Sequence, residues 1–185
     1  MTGMLTRYER LVAAGELRSD PDQRRAAERL DRLQKDLEAE SSGGLLSQLF
    51  RARKANPQGV YMWGGVGRGK SMLMDLFVET LGIEEKRRVH FHEFMLEVDR
   101  RIRERRESDP GDPTGKVARD IAEDVRCLAF DEMVVNNTAD AAIMARLFTA
   151  LIRDQGVTIV TTSNRPPRDL YKDGLNRSLF LPSST

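Results

Sequence analysis

The stretch GVYMWGGVGRGKSMLMDLF, Gly59 to Phe77, decides the fold. An apolar run, VYMW, leads into a glycine-rich turn, and a second apolar segment follows at Ser71. The run before the glycines predicts a buried strand, and Ser71 to Leu81 predicts a helix. Between them GGVGRGKS, Gly64 to Ser71, satisfies G-x-x-x-x-G-K-[ST] in the strand-loop-helix context that gives this pattern its meaning. Glycines let successive backbone N–H groups turn inward toward phosphate oxygens, and the helix adds its positive end. The loop therefore predicts a nucleotide site built from Gly64, Gly65, Val66, Gly67, Arg68, Gly69, Lys70, Ser71 and Met72. Lys70 is placed to reach the β- and γ-phosphates of ATP, and the Ser71 hydroxyl is a suitable Mg²⁺ ligand.

Outward from the loop, three more apolar runs read as strands: RVHFH from Arg88, RCLAF from Arg126 and VTIVTTSN from Val157. Helical segments alternate with them over Glu93–Glu107, Lys116–Val125 and Asp140–Leu151, the last with Asn137 or Thr138 as cap and Gly156 as stop. Strands alternating with helices predict an α/β fold of the P-loop type, a parallel sheet covered by helices on both faces. Ligands of such sheets sit at the carboxyl ends of the strands. There CLAFDE delivers Asp131, a candidate Mg²⁺ ligand, and Glu132, a candidate base for the water that attacks a γ-phosphate. The fourth strand ends in Thr161, Thr162, Ser163 and Asn164, polar groups expected at the depth of that phosphate, with Asn164 able to hydrogen-bond it or its water.

Ahead of the loop, DPDQRRAAERLDRLQKDLEAE spaces Ala26, Leu30, Leu33 and Leu37 helically, with Asp20 as cap and Pro21 in the first turn. SSGG at 41–44 closes this segment, so an N-terminal helical arm over 1–44 and a core over 45–185, opening with a short helix in LLSQLFRARK, are expected.

Composition narrows the function classes. Thirty Lys and Arg against 29 Asp and Glu leave a net charge of +1, so no global field recruits nucleic acid or an anionic membrane. The basic run EVDRRIRERRE carries five arginines against four acids and reads as a solvated helix face. A single cysteine, Cys127, excludes an intramolecular disulfide and favours a cytoplasmic address, and its apolar neighbours mark it as a core residue. No run of eighteen apolar residues predicts a transmembrane segment. His90 and His92 fall on one face of the expected second strand, where a structural pair is favoured over a metal site for want of further ligands.

With HFHEFM, FDE, TTSNRPP and GLNRSLFLP in view behind the phosphate loop, the chain resembles the ZapE cell-division ATPase family of the AAA+ branch, which has mitochondrial relatives. The resemblance implies Lys70 and Ser71 as the Walker A site, Asp131 and Glu132 as the Walker B pair, Asn164 as the γ-phosphate sensor and Arg177 as an arginine finger serving a neighbouring subunit of a ring. It also implies Mg²⁺-dependent ATP hydrolysis, a division-ring partner, and recruitment to the division site or the inner-membrane periphery. Tyr8 and Gln23 match the family's N-terminal segment. Asp99 stands where relatives usually carry a histidine, and after FLP this chain reads SST where relatives continue into a helical lid, so a core lacking that lid is expected. Two other readings remain open at this stage: a nucleotide-gated protein-binding module without turnover, and a helicase-loader type of AAA+ protein.

Overall fold

In the computed structural model, residues 3–41, 56–108, 111–134 and 138–167 are described. The runs expected to be strands pair side by side as β1 (Val60–Trp63), β2 (Lys86–His90), β3 (Cys127–Asp131) and β4 (Thr158–Ser163), all parallel, in the order β1-β4-β3-β2. Register places Trp63 beside Ser163 and His90 beside Asp131, so the loop after β1 and the turns after β3 and β4 emerge at one edge of the sheet. That edge is where a parallel sheet presents its ligand.

Strand alternation divides the core in two. On one face Leu128, Phe130 and Ile159 pack under α4 (Phe91–Ser108), α5 (Pro113–Asp124) and α6 (Thr138–Thr149), which continues into a π-helical turn over Ala150–Asp154. Phe130 is the hinge pin of this side, with ring centroids 4.8 Å from Phe94, 5.6 Å from Phe148 and 5.7 Å from Phe91. On the other face Val60, Met62, Cys127, Ala129 and Val160 meet α1 (Met4–Ala13), α2 (Pro21–Ser41) and α3 (Lys70–Thr80). Helices thus cover both faces, as expected. Cys127 lies fully inside, where burial pushes its thiol up to about 12, as befits a small core residue.

Asp20 caps α2 as its spacing predicts, accepting from the N–H groups of Asp22 at 2.8 Å and Gln23 at 3.0 Å. The buried stripe of α2 is Ala27, Leu30, Asp31, Leu33, Gln34 and Leu37, with Ala26 only half-buried. The stripe is wider than expected because α1, which is not among the elements read from the sequence, lies across it. Buried Gln34 and Asp31 accept from the N–H groups of Met4 at 2.9 Å and Leu5 at 3.1 Å, so these polar residues satisfy the otherwise open start of α1.

The second strand differs from expectation at its end. It runs from Lys86 to His90, and Phe91 and His92 already belong to α4. The reason is helical burial: Phe91, Phe94, Met95, Val98 and Ile102 recur at helix spacing and all enter the core. His90 and His92 consequently sit on different elements, both exposed, and do not form a pair on one strand face. Gly156, with φ +73°, stops the segment after α6 as predicted. The expected helix over 45–54 and the cap at Asn137 lie outside the described residues. Among the described residues no helix is long and apolar enough to cross a membrane.

Candidate functional site

The loop between β1 and α3 takes its shape from positive backbone angles. Gly67 (φ +77°) and Gly69 (φ +79°) occupy the left-handed region that strains other residues. At Gly69 the space is closed as well: a Cβ there would meet Gln23 Nε2 at 2.8 Å. Gln23 donates to the Arg68 carbonyl at 3.3 Å, and Arg68 pairs with Asp22 at 3.2 Å, so the first turn of α2 braces the loop from outside.

Lys70 opens α3 and turns its ammonium back across the loop. Its Nζ donates to the carbonyls of Gly64 at 2.7 Å and Gly65 at 2.8 Å, and to Asn164 Oδ1 at 3.0 Å. The loop lysine and the residue after β4, 94 positions apart in sequence, therefore face one point. Burial holds the Lys70 pKa below its ordinary value, with the charge of Glu132 acting against that shift. A cleft of about 350 Å³ runs along Val66 to Met72 and is closed on its far side by Glu132, Thr162, Ser163 and Asn164.

Beyond Ser71 the cleft continues into a second space of about 530 Å³, lined by Ser71, Arg88, His90, Glu93, Asp131 and Glu132. Asp131 ends the fully buried strand β3 with both carboxylate oxygens engaged by one guanidinium: Arg88 Nε lies 2.7 Å from Oδ2 and Nη2 lies 3.2 Å from Oδ1. Arg88 also contacts Asp75 on α3. Both acids hold the Arg88 pKa above its ordinary value, the hydrogen bond to Asp131 being the largest cause.

Glu132 follows at φ +55°, the only non-glycine residue with positive φ among those described. Such a backbone persists only where its surroundings over-determine it. Here they do. Its N–H donates to Thr162 Oγ1 at 3.0 Å, the next N–H, of Met133, donates to the Thr162 carbonyl at 2.8 Å, and Ser163 Oγ donates to the Met133 carbonyl at 2.9 Å. The polar strand end thus has a structural task besides lining the cleft. Thr161, Thr162 and Ser163 are buried, and the hydroxyls of Thr162 and Ser163 hold the Glu132 turn while both residues line the cleft; Asn164 is the exposed member of the four. Thr162→Val keeps the shape and removes the acceptor, leaving the Glu132 N–H unpaired. We expect a loss of about 1–2 kcal/mol in urea unfolding, and an unchanged midpoint would show the clamp to be idle.

The structure brings Gly64, Gly65, Lys70, Ser71, Asp131, Glu132 and Asn164 to one edge. Arg177 lies outside the described residues. Arg88, Gln23 and Thr162 are contributors that sequence reasoning did not assign to these tasks. The donor set suits a magnesium–nucleotide complex: an ammonium resting on carbonyl oxygens at a helix N-terminus meets an anion readily, and a hydroxyl beside a carboxylate offers the hard oxygens Mg²⁺ takes. With both of its oxygens already accepting from Arg88, Asp131 suits a metal held through water, using its remaining lone pairs.

A family profile described as "AFG1-like ATPase" matches residues 2–184. The chain is 36% identical to "Lactation elevated protein 1 homolog B" of Danio rerio over 97% of its own length and 45% of that protein. It is also 36% identical to "Cell division protein ZapE" of Escherichia coli K12, over 96% of its own length and 50% of that protein. The chain thus spans about half the length of the curated relatives it matches. Among solved structures, AMPPCP-bound DnaA from Aquifex aeolicus superposes with a TM-score of 0.54 at 16% identity, covering 88% of this chain and 44% of that one. The DnaC helicase loader does so at 0.50 and 12%, covering 87% and 84%. At these identities the structures speak for the fold alone, the P-loop type of parallel α/β sheet expected from the sequence. The chain belongs to the AFG1-like ATPase family, and the expected likeness to ZapE is borne out.

Proposed function

We propose, with membership of the AFG1-like ATPase family as premise, that this protein binds Mg·ATP and hydrolyses it by attack of water on the γ-phosphate. The observation that carries the reading is the convergence of Lys70 and Asn164 on one point of a cleft that Glu132 also lines. On binding, the loop N–H groups and the start of α3 receive phosphate oxygens, and Lys70 exchanges its carbonyl partners for the β- and γ-phosphates. Asn164, released from Lys70, hydrogen-bonds the γ-phosphate or the water beside it. Glu132 orients that water and accepts its proton, from a backbone fixed by Thr162. Ser71 and Asp131 would hold Mg²⁺, which offsets charge on the phosphates when bound.

Trp63 provides the test, because it is the only tryptophan, adjoins the phosphate loop and is 56% exposed. Its fluorescence should change saturably with ATP and ADP and stay flat with AMP, which lacks the phosphates the loop would hold. Equal responses to AMP and ATP would sink the phosphate-loop reading.

Arg177 is proposed to act in trans on a neighbouring subunit's γ-phosphate, a role worth about 10³–10⁵ in rate where such fingers are known. Mixing Arg177→Ala with Lys70→Ala protein should restore part of the activity each lacks; co-assembly without recovery would remove the role. The name of the E. coli relative supports a place in cell division, with ring assembly, a division-ring partner and a cytoplasmic face as parts of that proposal. On α4, Arg100, Arg101, Arg103 and Arg105 pair with Glu104, Glu97, Asp99 and Asp120, which favours a solvated face over a nucleic-acid stripe. Loss of septal localisation on deleting the phosphate loop would support the division role, and unaltered division in a null strain would oppose it.

A further inference from the structure

Arg88 is wedged between the phosphate-loop helix and the end of β3. It forks onto both oxygens of Asp131, whose side chain is 12% exposed, and its remaining amino group reaches Asp75. Asp75 lies one helical turn after Ser71, on the same side of α3. The two residues proposed to hold Mg²⁺ are therefore tied together through Arg88: Asp131 directly, and Ser71 through its helix.

Without Arg88, Asp131 and Asp75 would be two carboxylates beside a hydroxyl, one of them largely out of water. A buried carboxylate with no partner is costly, and a divalent cation is the natural remedy. With Arg88 present both acids have a cationic partner, and one guanidinium offsets half of their summed charge. A guanidinium cannot lose its proton at any ordinary pH, so this counter-charge is permanent. It also repels Mg²⁺ at short range.

We propose that Arg88 is a positioning residue that serves as a built-in counter-ion: it fixes the Asp131 carboxylate and keeps Mg²⁺ from binding these acids alone, so that the metal enters only in company with nucleotide phosphates. The inference rests on the ATPase reading. Additional negative charge from a triphosphate at Lys70 and Ser71 makes the difference between exclusion and capture. Asp131 then receives the metal through water without surrendering Arg88.

The test titrates MgCl₂ into the protein without nucleotide, following thermal unfolding and calorimetric binding. Wild type should show no saturable Mg²⁺ binding in the millimolar range. Arg88→Gln should gain it, with affinity at least about tenfold above any wild-type signal, and Asp75→Asn in the Arg88→Gln background should weaken it again. Arg88→Lys, which keeps the charge, should continue to exclude the metal, a rescue that a purely packing role would not produce. If Arg88→Gln does not fold alone, refolding in millimolar Mg²⁺ supports the proposal and failure to refold there overturns it. Saturable Mg²⁺ binding by wild type, or a folded Arg88→Gln protein indifferent to Mg²⁺, also overturns it. ATP titrated in the presence of MgCl₂ separates the two levels: absence of Mg·ATP binding would sink the ATPase reading, whereas the metal-alone signal needs no nucleotide.

Discussion

Lys70→Ala is expected to lower Mg·ATP affinity by about 10²-fold or more and to abolish measurable hydrolysis. The ammonium already rests within 3.0 Å of the Gly64 and Gly65 carbonyls and Asn164, so it needs little rearrangement to meet two phosphates. Charge-assisted hydrogen bonds contribute roughly 1.5–3 kcal/mol each, and losing those to both phosphates accounts for the expected drop. Stability should barely move, because the carbonyls that Lys70 leaves can take water instead. Trp63 fluorescence and urea unfolding read the two quantities separately. Wild-type affinity in Lys70→Ala would remove the lysine from the site.

Glu132→Gln should give the second large effect: turnover lower by about 10²–10⁴, the range for loss of a general base, with Mg·ATP affinity within a few-fold of wild type. The backbone argument favours a clean result. The bond to Thr162 comes from the Glu132 N–H, which glutamine retains, and the strained φ of +55° treats the two residues alike. Asp131→Ala should behave differently, since it leaves Arg88 with Asp75 alone and removes the acid proposed for the metal. Equal loss of nucleotide binding in both variants would mean that the two acids have been assigned the wrong roles.

Much of this site is legible in the sequence because it is local. Val60 to Phe77 encodes strand, loop and helix within one window, and the four apolar residues of β3 announce both the strand and the acids at its end. What the sequence hides depends on register. Arg88 can be matched to Asp131 only once β2 is known to pair with β3, with His90 beside Asp131. In the sequence KRR looks like ordinary charge on an edge strand. In the fold each residue has its own partner: Lys86 reaches the carbonyls of Val78 and Leu81 at the end of α3, Arg87 pairs with Glu97, and Arg88 holds Asp131. Thr162 and Asn164 look alike as polar strand-end residues, but the first is buried within β4 and holds Glu132, while the second, just past the strand, is exposed and meets Lys70. Gln23 escaped assignment because its contact with the loop spans 45 positions. The end of β2 is hidden for the opposite reason: HFH alternates as a strand would, while the register of Phe91 with Phe94 and Val98 makes a helix the better burial.

The most direct measurement is a single-turnover experiment in which protein in excess of γ-labelled ATP and Mg²⁺ is quenched over time and free phosphate is counted. Wild-type protein should convert its bound ATP to ADP and phosphate, and Glu132→Gln should hold ATP unconverted over the same interval. Tight ATP binding by wild type with no more phosphate released than by Glu132→Gln would contradict hydrolysis and leave a nucleotide-gated binding protein in its place.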